Sequence, residues 1–351
     1  MNLHEDINSF RVILNNISIR SGYRSDVIEK DYYVVLMLKE LSEKQQNGLP
    51  AFFKGGTALY KALKTTQRFS EDIDLSVDTR MCSRTQNDKR LDQAAKKFNS
   101  LSRDISSGRT NRSEVISFFT YNPVTTYDAN DSLQRFGKVK IEATSFTISE
   151  PYENLEIAPL VYELANEHEK KVLEDNYDVK PFMVKTITME RIFIDKLFAA
   201  EAYSRQSYDF NKSFDAAKHI YDLSVMSHQP KILSFLCNEE QLKSILDIRI
   251  EEELSRLDGI PDVMPYDFSF FNAVKEDDNI KDAYEKMQEK YVMNPRDRID
   301  FDAAMNSLDQ LHSYLRSNLS WSFYEPNERV ELLIQKYEEK NDQSFEQQLP
   351  W

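Results

Sequence analysis

Apolar and polar positions follow a helical period at the start of the chain, switch toward a period of two at Ala51, and turn helical again from Thr188. Residues 1–48 read as helical. Among them Ile28, Tyr32, Val35, Leu38 and Leu41 fall on one face, and Asp26 with Glu29 three positions later has the spacing of a capping box. Asn47-Gly48-Leu49-Pro50 is a turn signal that ends this helix. The apolar run Ala51-Phe52-Phe53 predicts a short buried strand running into Gly55 and Gly56, and residues 57–63 predict a helix behind them. Asp72, Asp74 and Ser76 then alternate with Ile73, Leu75 and Val77, so one strand face carries both carboxylates while the aliphatic side chains enter a core. Residues 115–121 read as a further strand. Residues 138–144 alternate cleanly, with Val139, Ile141 and Ala143 inward and Glu142 sharing the polar face with Lys140 and Thr144. Residues 162–180 are acidic without strong periodicity and read as a connection. Residues 188–200 predict a helix with Phe193, Leu197 and Ala200 along its buried stripe, and residues 214–223 predict another. Beyond Pro230 the pattern is helical with charged faces. Asp258-Gly259-Ile260-Pro261 marks a loop, and the polar tail from Gln335 is expected to be mobile, with Trp351 exposed or docked.

Composition narrows the classes. The chain has 351 residues, enough for one large or two ordinary domains. Only seven glycines in a chain rich in Leu, Glu, Lys and Ala argue for a largely helical protein. No apolar run approaches the roughly 18 residues of a membrane span. The first residues, Met1 to Asp6, lack the basic and apolar regions of a signal peptide. Cys82 and Cys237 stand far apart, which fits a cytoplasmic location and excludes a disulfide framework or a cysteine–zinc site. A net charge of −14 argues against a generic nucleic-acid coat. The charge is uneven, however. Between Arg80 and Arg112 nine basic residues face three acidic ones, a local excess that suits either a polyanionic acceptor or a plain solvated helix and loop.

The chemistry concentrates between Lys54 and Leu75. Gly55 and Gly56 let the backbone turn sharply and approach a ligand, because neither carries a Cβ. Asp72 and Asp74 hold like charges close together, which is unfavourable without a cation between them. Hard oxygen ligands suit Mg²⁺, which commonly binds one or two carboxylates together with substrate phosphates. These residues read as a metal–nucleotide site. Free N–H groups at the start of the following helix favour phosphate. There Thr57 offers either a phosphate-binding hydroxyl or an N-cap.

Gly55-Gly56-Thr57, fourteen intervening residues, and Asp72-Ile73-Asp74 resemble the first motif of the polymerase-β-type nucleotidyltransferases. The longer run from Lys54 to Leu75, with Arg68-Phe69-Ser70-Glu71 before Asp72, is similar to the AbiEii/AbiGii toxin family, the toxin halves of bacterial toxin–antitoxin and phage-defence (abortive-infection) pairs. The resemblance covers about residues 25–226 and includes Glu29-Lys30-Asp31-Tyr32, whose charges are expected to brace the nucleotide site from behind.

It implies an α+β fold: a polymerase-β-like nucleotidyltransferase core with a small mixed sheet (residues 49–185), an N-terminal helical segment (1–48) and a helical C-terminal domain (186–351). It implies Asp72, Asp74 and a third carboxylate, for which Glu142 is the candidate, around two Mg²⁺ ions. Gly55, Gly56, Thr57 and Ser70 are expected at the nucleotide. Lys196, otherwise a paired or snorkelling lysine in an apolar helix, is implied to grip the triphosphate. Asp222, otherwise the i+4 partner of Lys218, is implied to orient Lys196, although Lys218-His219 stands where the family leads one to expect an arginine. The implied activity is nucleotide transfer from an NTP to an acceptor hydroxyl on RNA, such as a tRNA 3′ end, with a cognate antitoxin as partner. A protein-modifying adenylyltransferase and a catalytically silent NTP-binding module are the alternatives. Asp72 to Ser76 also fits the Asp-x-Asp-x-Ser string of haloacid-dehalogenase-type phosphatases, but that class lacks the preceding Gly-Gly-Thr helix, and the Gly-Gly motif has no place in an Asp-x-Asp glycosyltransferase either.

Overall fold

The computed structural model describes residues 1–126, 136–257, 264–318 and 324–346. The expected loop at Asp258–Pro261 and the terminal Trp351 lie outside them. The chain divides into two compact units, residues 1–188 with 288–298, and residues 189–287 with 299–351.

The first unit is built on a seven-stranded mixed sheet. Its strands are β1 (Ala51–Lys54), β2 (Ile73–Val77), β3 (Ser102–Thr110), β4 (Glu114–Thr120), β5 (Lys138–Thr144), β6 (Tyr152–Ile157) and β7 (Phe182–Ile187), in the spatial order β3-β4-β5-β2-β1-β7-β6. The pairs β2–β5 and β1–β7 are parallel and the remaining pairs antiparallel. The expected alternation holds, with Ile73, Leu75, Val77, Val139, Ile141 and Ala143 all buried. Strand β3 escaped the sequence pattern because it is an exposed edge, with its register broken between Asp104 and Arg109.

Helices of this unit are α1 (Ile7–Ser21), α2 (Ser25–Gln46), α3 (Gly55–Lys61), α4 (Arg84–Ala95), α5 (Leu160–Glu163) and α6 (Glu167–Tyr177). The expected stripe on α2, from Ile28 to Leu41, is buried. Its capping box is not formed. The helix starts two residues earlier, with Arg24 in the N-cap position, Asp26 pairs with Arg24 at 2.5 Å, and the Glu29 carboxylate accepts the N–H groups of Val124 and Thr125 at 2.7 and 3.0 Å. The stretch read as a connection at 162–180 contains α6 instead. Asn166 and Glu169 close a capping box, and Leu173 and Tyr177 anchor the helix through two buried positions, too few to register as a period. Residues 288–298 return to this unit, where the Tyr291 carbonyl accepts the Phe69 N–H at 2.7 Å and Val292 bridges Arg68.

The second unit is helical: α7 (Met189–Ser204), α8 (Phe210–Met226), α9 (Pro230–Leu236), α10 (Glu239–Glu252), α11 (Phe270–Ala273), most of α12 (Asp278–Tyr291), α13 (Phe301–Ser317) and α14 (Glu328–Glu346). From Gln335 to Glu346 the polar tail continues α14, which Asn327 caps through the Val330 N–H at 3.0 Å, because its Glu, Gln and Lys residues are good helix formers. Among the described residues no helix is long and apolar enough to cross a membrane.

Candidate active site

Strand β1 delivers the chain to Gly55 at φ +79°, a left-handed conformation that glycine adopts without strain. A Cβ at Gly55 would fall on the Asp74 carboxylate, and one at Gly56 would come within 2.9 Å of the Arg68 guanidinium and 3.0 Å of Ser70 Oγ. The two glycines therefore let residues 68–74 close directly onto α3. Thr57 secures that closure. It is fully buried, and its hydroxyl lies 2.8 Å from Ser70 Oγ and donates to the Asp72 carbonyl. It is not an N-cap, since Lys54 holds that position, and its hydroxyl is engaged inside the fold.

Across the sheet, Lys54, Asp74, Glu142 and Ile116 stand directly opposite one another on β1, β2, β5 and β4. Adjacent strands lie about 4.8 Å apart, so Asp74 and Glu142 are immediate neighbours on one face. Asp72, two residues before Asp74, joins them from the start of β2. The Lys140 ammonium lies 2.8 Å from Glu142 Oε2 and 3.6 Å from Asp72 Oδ2. Desolvation, then the charges of Glu142 and Asp72, push the Asp74 carboxyl up to about 6, although Lys140 and Lys54 act against this. Desolvation opposes the charge on Lys140, but Asp72 and Glu142 outweigh it and hold that amine above its ordinary value.

This is a concentration of negative charge that the folded chain does not fully neutralise. Its donors are all carboxylate oxygens, the set that suits a hard divalent cation. Among the described residues no three acidic, His or Cys side chains converge as a ready-made metal cage, and Lys140 stands between two of the three carboxylates. The donor chemistry thus fits Mg²⁺, with side-chain rearrangement around Lys140.

A layer of buried charge lies behind these residues. Lys30 of α2 approaches Glu71 at 3.4 Å and donates to the Lys138 carbonyl, tying the helix to the residue before Asp72 and to the start of β5. Asp31 pairs with Lys61 at 3.1 Å and accepts the Leu160 N–H at 2.5 Å. Lys61 also reaches Glu163 at 3.2 Å. The Glu29-Lys30-Asp31 run thus joins α2 to the last turn of α3 and to the strands that carry the carboxylates.

In the second unit, Lys196 of α7 and Asp222 of α8 form a buried pair at 2.6 Å, with side-chain exposures of 6% and 0%. Lys218 also pairs with Asp215 at 3.1 Å. The α7 helix is further fixed by Arg191, which meets Glu252 of α10 at 2.5 Å.

The basic stretch from Arg80 to Arg112 forms α4, β3 and their flanks. Part of it is internally paired, with Arg80 on Asp78 and Glu150, Lys96 on Asp92 and Arg109 on Glu114. Among the described residues Lys89, Lys97 and Arg103 are not paired in this way. They line two adjoining hollows of about 670 and 400 Å³ that meet at Asp92 and Lys97, next to the end of α2 and along β3.

Sequence reasoning included Lys54 and Arg68 in the motif and put Lys140 on the Glu142 face, but gave none of the three a role in the site. For Lys140 the signal was present: a period of two places it on the Glu142 face. Nothing local could show that residues 288–298 return beside Arg68 and Phe69.

Residues 38–307 match the family described as nucleotidyl transferase AbiEii toxin, type IV toxin–antitoxin system. The match reaches well past residue 226, where the motif resemblance ended. Among curated proteins none matches the chain in sequence. Among solved structures, the chain is similar to MenT4, a nucleotidyltransferase toxin from Mycobacterium tuberculosis H37Rv, with a TM-score of 0.41 and 15% identity, over 86% of this chain and 98% of that one. It is also similar to JHP933 from Helicobacter pylori, with a TM-score of 0.37 and 14% identity, over 93% of this chain and 100% of that one. With the family matched over most of its length, and its Gly-Gly and paired-aspartate motifs folded against one another, the chain belongs to the AbiEii nucleotidyl transferase toxin family.

Proposed function

We propose that the protein is the toxin of a bacterial toxin–antitoxin pair acting in the cytoplasm, in abortive infection, by transferring a nucleotidyl group from an NTP to the 3′-terminal hydroxyl of a tRNA. The observation that carries this reading is the acidic row: Asp74 opposite Glu142, with Asp72 beside them and Gly55 closing over the Asp74 carboxylate. Asp72, Asp74 and Glu142 would hold two Mg²⁺ ions. When bound, such ions activate the attacking hydroxyl and stabilise the leaving pyrophosphate.

The acceptor oxygen forms a bond to the α-phosphorus as the bond from that phosphorus to the α–β bridging oxygen breaks. The proton of the acceptor hydroxyl passes to a Glu142 carboxylate oxygen, and pyrophosphate departs with the bridging electrons. Gly55, Gly56 and Ser70 shape the edge against which the phosphates lie, while Thr57 holds residues 70–72 in place from within. Lys196, oriented by Asp222, neutralises triphosphate charge, so that rate enhancement comes mainly from positioning and electrostatics.

Incubating the protein with α-labelled NTP, Mg²⁺ and bacterial RNA tests the proposal. Label is expected in tRNA together with released pyrophosphate. Label in protein instead would favour adenylylation, and bound but unconverted NTP would favour a silent regulatory module.

The two basic hollows supply a surface for the acceptor. Lys89, Lys97 and Arg103 would supply the charge for a polyphosphate backbone, and no aromatic residue is among those lining the two hollows. Binding there is expected to be independent of sequence and steeply dependent on salt. Replacing the three with glutamate should weaken tRNA binding by about tenfold or more at low salt and flatten the salt dependence. Transfer at saturating RNA should survive. An unchanged salt slope in a filter-binding titration would exclude this surface.

A further inference from the structure

Lys140 makes no appearance in the chemistry above, yet its ammonium is the cation the fold itself places on two of the three carboxylates. Its backbone is held in the sheet: Lys140 pairs with Phe118 on β4, and β5 runs parallel to β2 from the next residue, Ile141, through residue 144. Only the side chain can move. Lys54, the other lysine in the acidic row, does not share this position, because its amine donates to Thr147 Oγ1 at 3.1 Å.

A divalent cation held by Asp72 and Glu142 draws on the same two carboxylates that Lys140 engages. Two cations on the same carboxylates repel, so the binding of one weakens the hold of the other. We propose that Lys140 is a positioning residue that competes with the divalent cation and makes metal binding conditional on nucleotide. This inference rests on the nucleotidyl-transfer reading of the site.

The argument is electrostatic. Expelling Lys140 with a metal ion alone strands an ammonium beside a dication. When the metal arrives with a triphosphate, the displaced ammonium gains phosphate oxygens as new partners, and the long lysine stem gives it the reach to find them. Metal and nucleotide therefore bind with positive coupling, and the free ion alone occupies the site poorly.

Calorimetric titration of the full chain with Mn²⁺, with and without a non-hydrolysable NTP analogue, tests this without any turnover. The wild-type protein is expected to bind Mn²⁺ about tenfold more tightly, or better, when the analogue is present. Lys140→Gln is expected to bind Mn²⁺ alone about tenfold more tightly than wild type and to lose most of the coupling, whereas Lys140→Arg keeps it. Equal Mn²⁺ affinity in wild type with and without the analogue overturns the inference, even if Lys140→Gln fails to fold. Equal affinity of wild type and folded Lys140→Gln for Mn²⁺ alone overturns it as well. In both cases nucleotidyl transfer stands as long as the wild type binds Mn²⁺ and the analogue together. Failure of the wild type to bind metal under any condition sinks both.

Discussion

Asp74→Asn is expected to reduce nucleotidyl transfer by on the order of 10³-fold while raising the thermal stability of the metal-free protein. The two effects share one cause. Asp74 stands directly between Lys54 and Glu142 in the sheet, with Asp72 two residues away, and its carboxylate is sunk against Gly55. Burial and two neighbouring carboxylates raise its pKa to about 6, so the folded state disfavours the charged form that catalysis needs.

The sign of the pH dependence follows. The folded state binds the Asp74 proton more tightly than the unfolded chain does. Stability is therefore lost as pH rises from the ordinary carboxylate value near 4 to about 6. Above that range asparagine, which keeps the shape without the charge, removes the repulsion. The Tm of Asp74→Asn should exceed that of wild type by about 2–5 °C at pH 7.5 and match it near pH 4. Adding Mg²⁺ and NTP should close the gap by stabilising wild type alone. A variant that is less stable than wild type at pH 7.5 would show that Asp74 holds the fold together and is not a charge kept under strain for function.

Lys30→Met should be among the most destabilising single substitutions in the protein. Lys30 is fully buried, its ammonium 3.4 Å from Glu71 and also bonded to the Lys138 carbonyl. Methionine fills the space but leaves a buried carboxylate with less compensation, at a cost of about 3–5 kcal/mol. The double variant Lys30→Met/Glu71→Gln removes both charges and should recover much of that loss, because the penalty lies in the stranded partner and not in the missing pair. Urea denaturation midpoints of the two variants decide it. A loss of less than about 1 kcal/mol for Lys30→Met would place this pair in the ordinary surface class. Because Glu71 precedes Asp72 in the chain, Lys30→Met should also lower transfer under conditions in which the variant remains folded.

The residues of the site show how far local pattern reaches. The alternation at 73–77 and 138–144 was legible because each strand buries one face, and burial is written into residue type at a period of two. The glycines were legible because a backbone that must bend tightly against a side chain excludes a Cβ. Thr57 was read in two ways, as a phosphate hydroxyl or as an N-cap. The structure gives it a third role, as an internal tether to Ser70 and Asp72, because the 68–74 segment folds back over α3. The segment at 162–180 hid α6 because a helix with two anchoring residues carries little periodic signal.

By itself the sequence determined the α+β class, the strands that carry Asp72, Asp74 and Glu142, and the family. Each of these depends on residues close together in the chain or on a motif of fixed spacing. Only the tertiary structure decided that Asp74 lies opposite Glu142, that Lys140 pairs with Asp72 and Glu142, that Lys30 reaches Glu71, and that residues 288–298 return to Arg68, whereas the meeting of Lys196 with Asp222 is one the resemblance had implied. Strand register and the partners of buried charges are settled by packing between distant segments, and a side chain's type states only that it needs a partner, not which one the fold will bring.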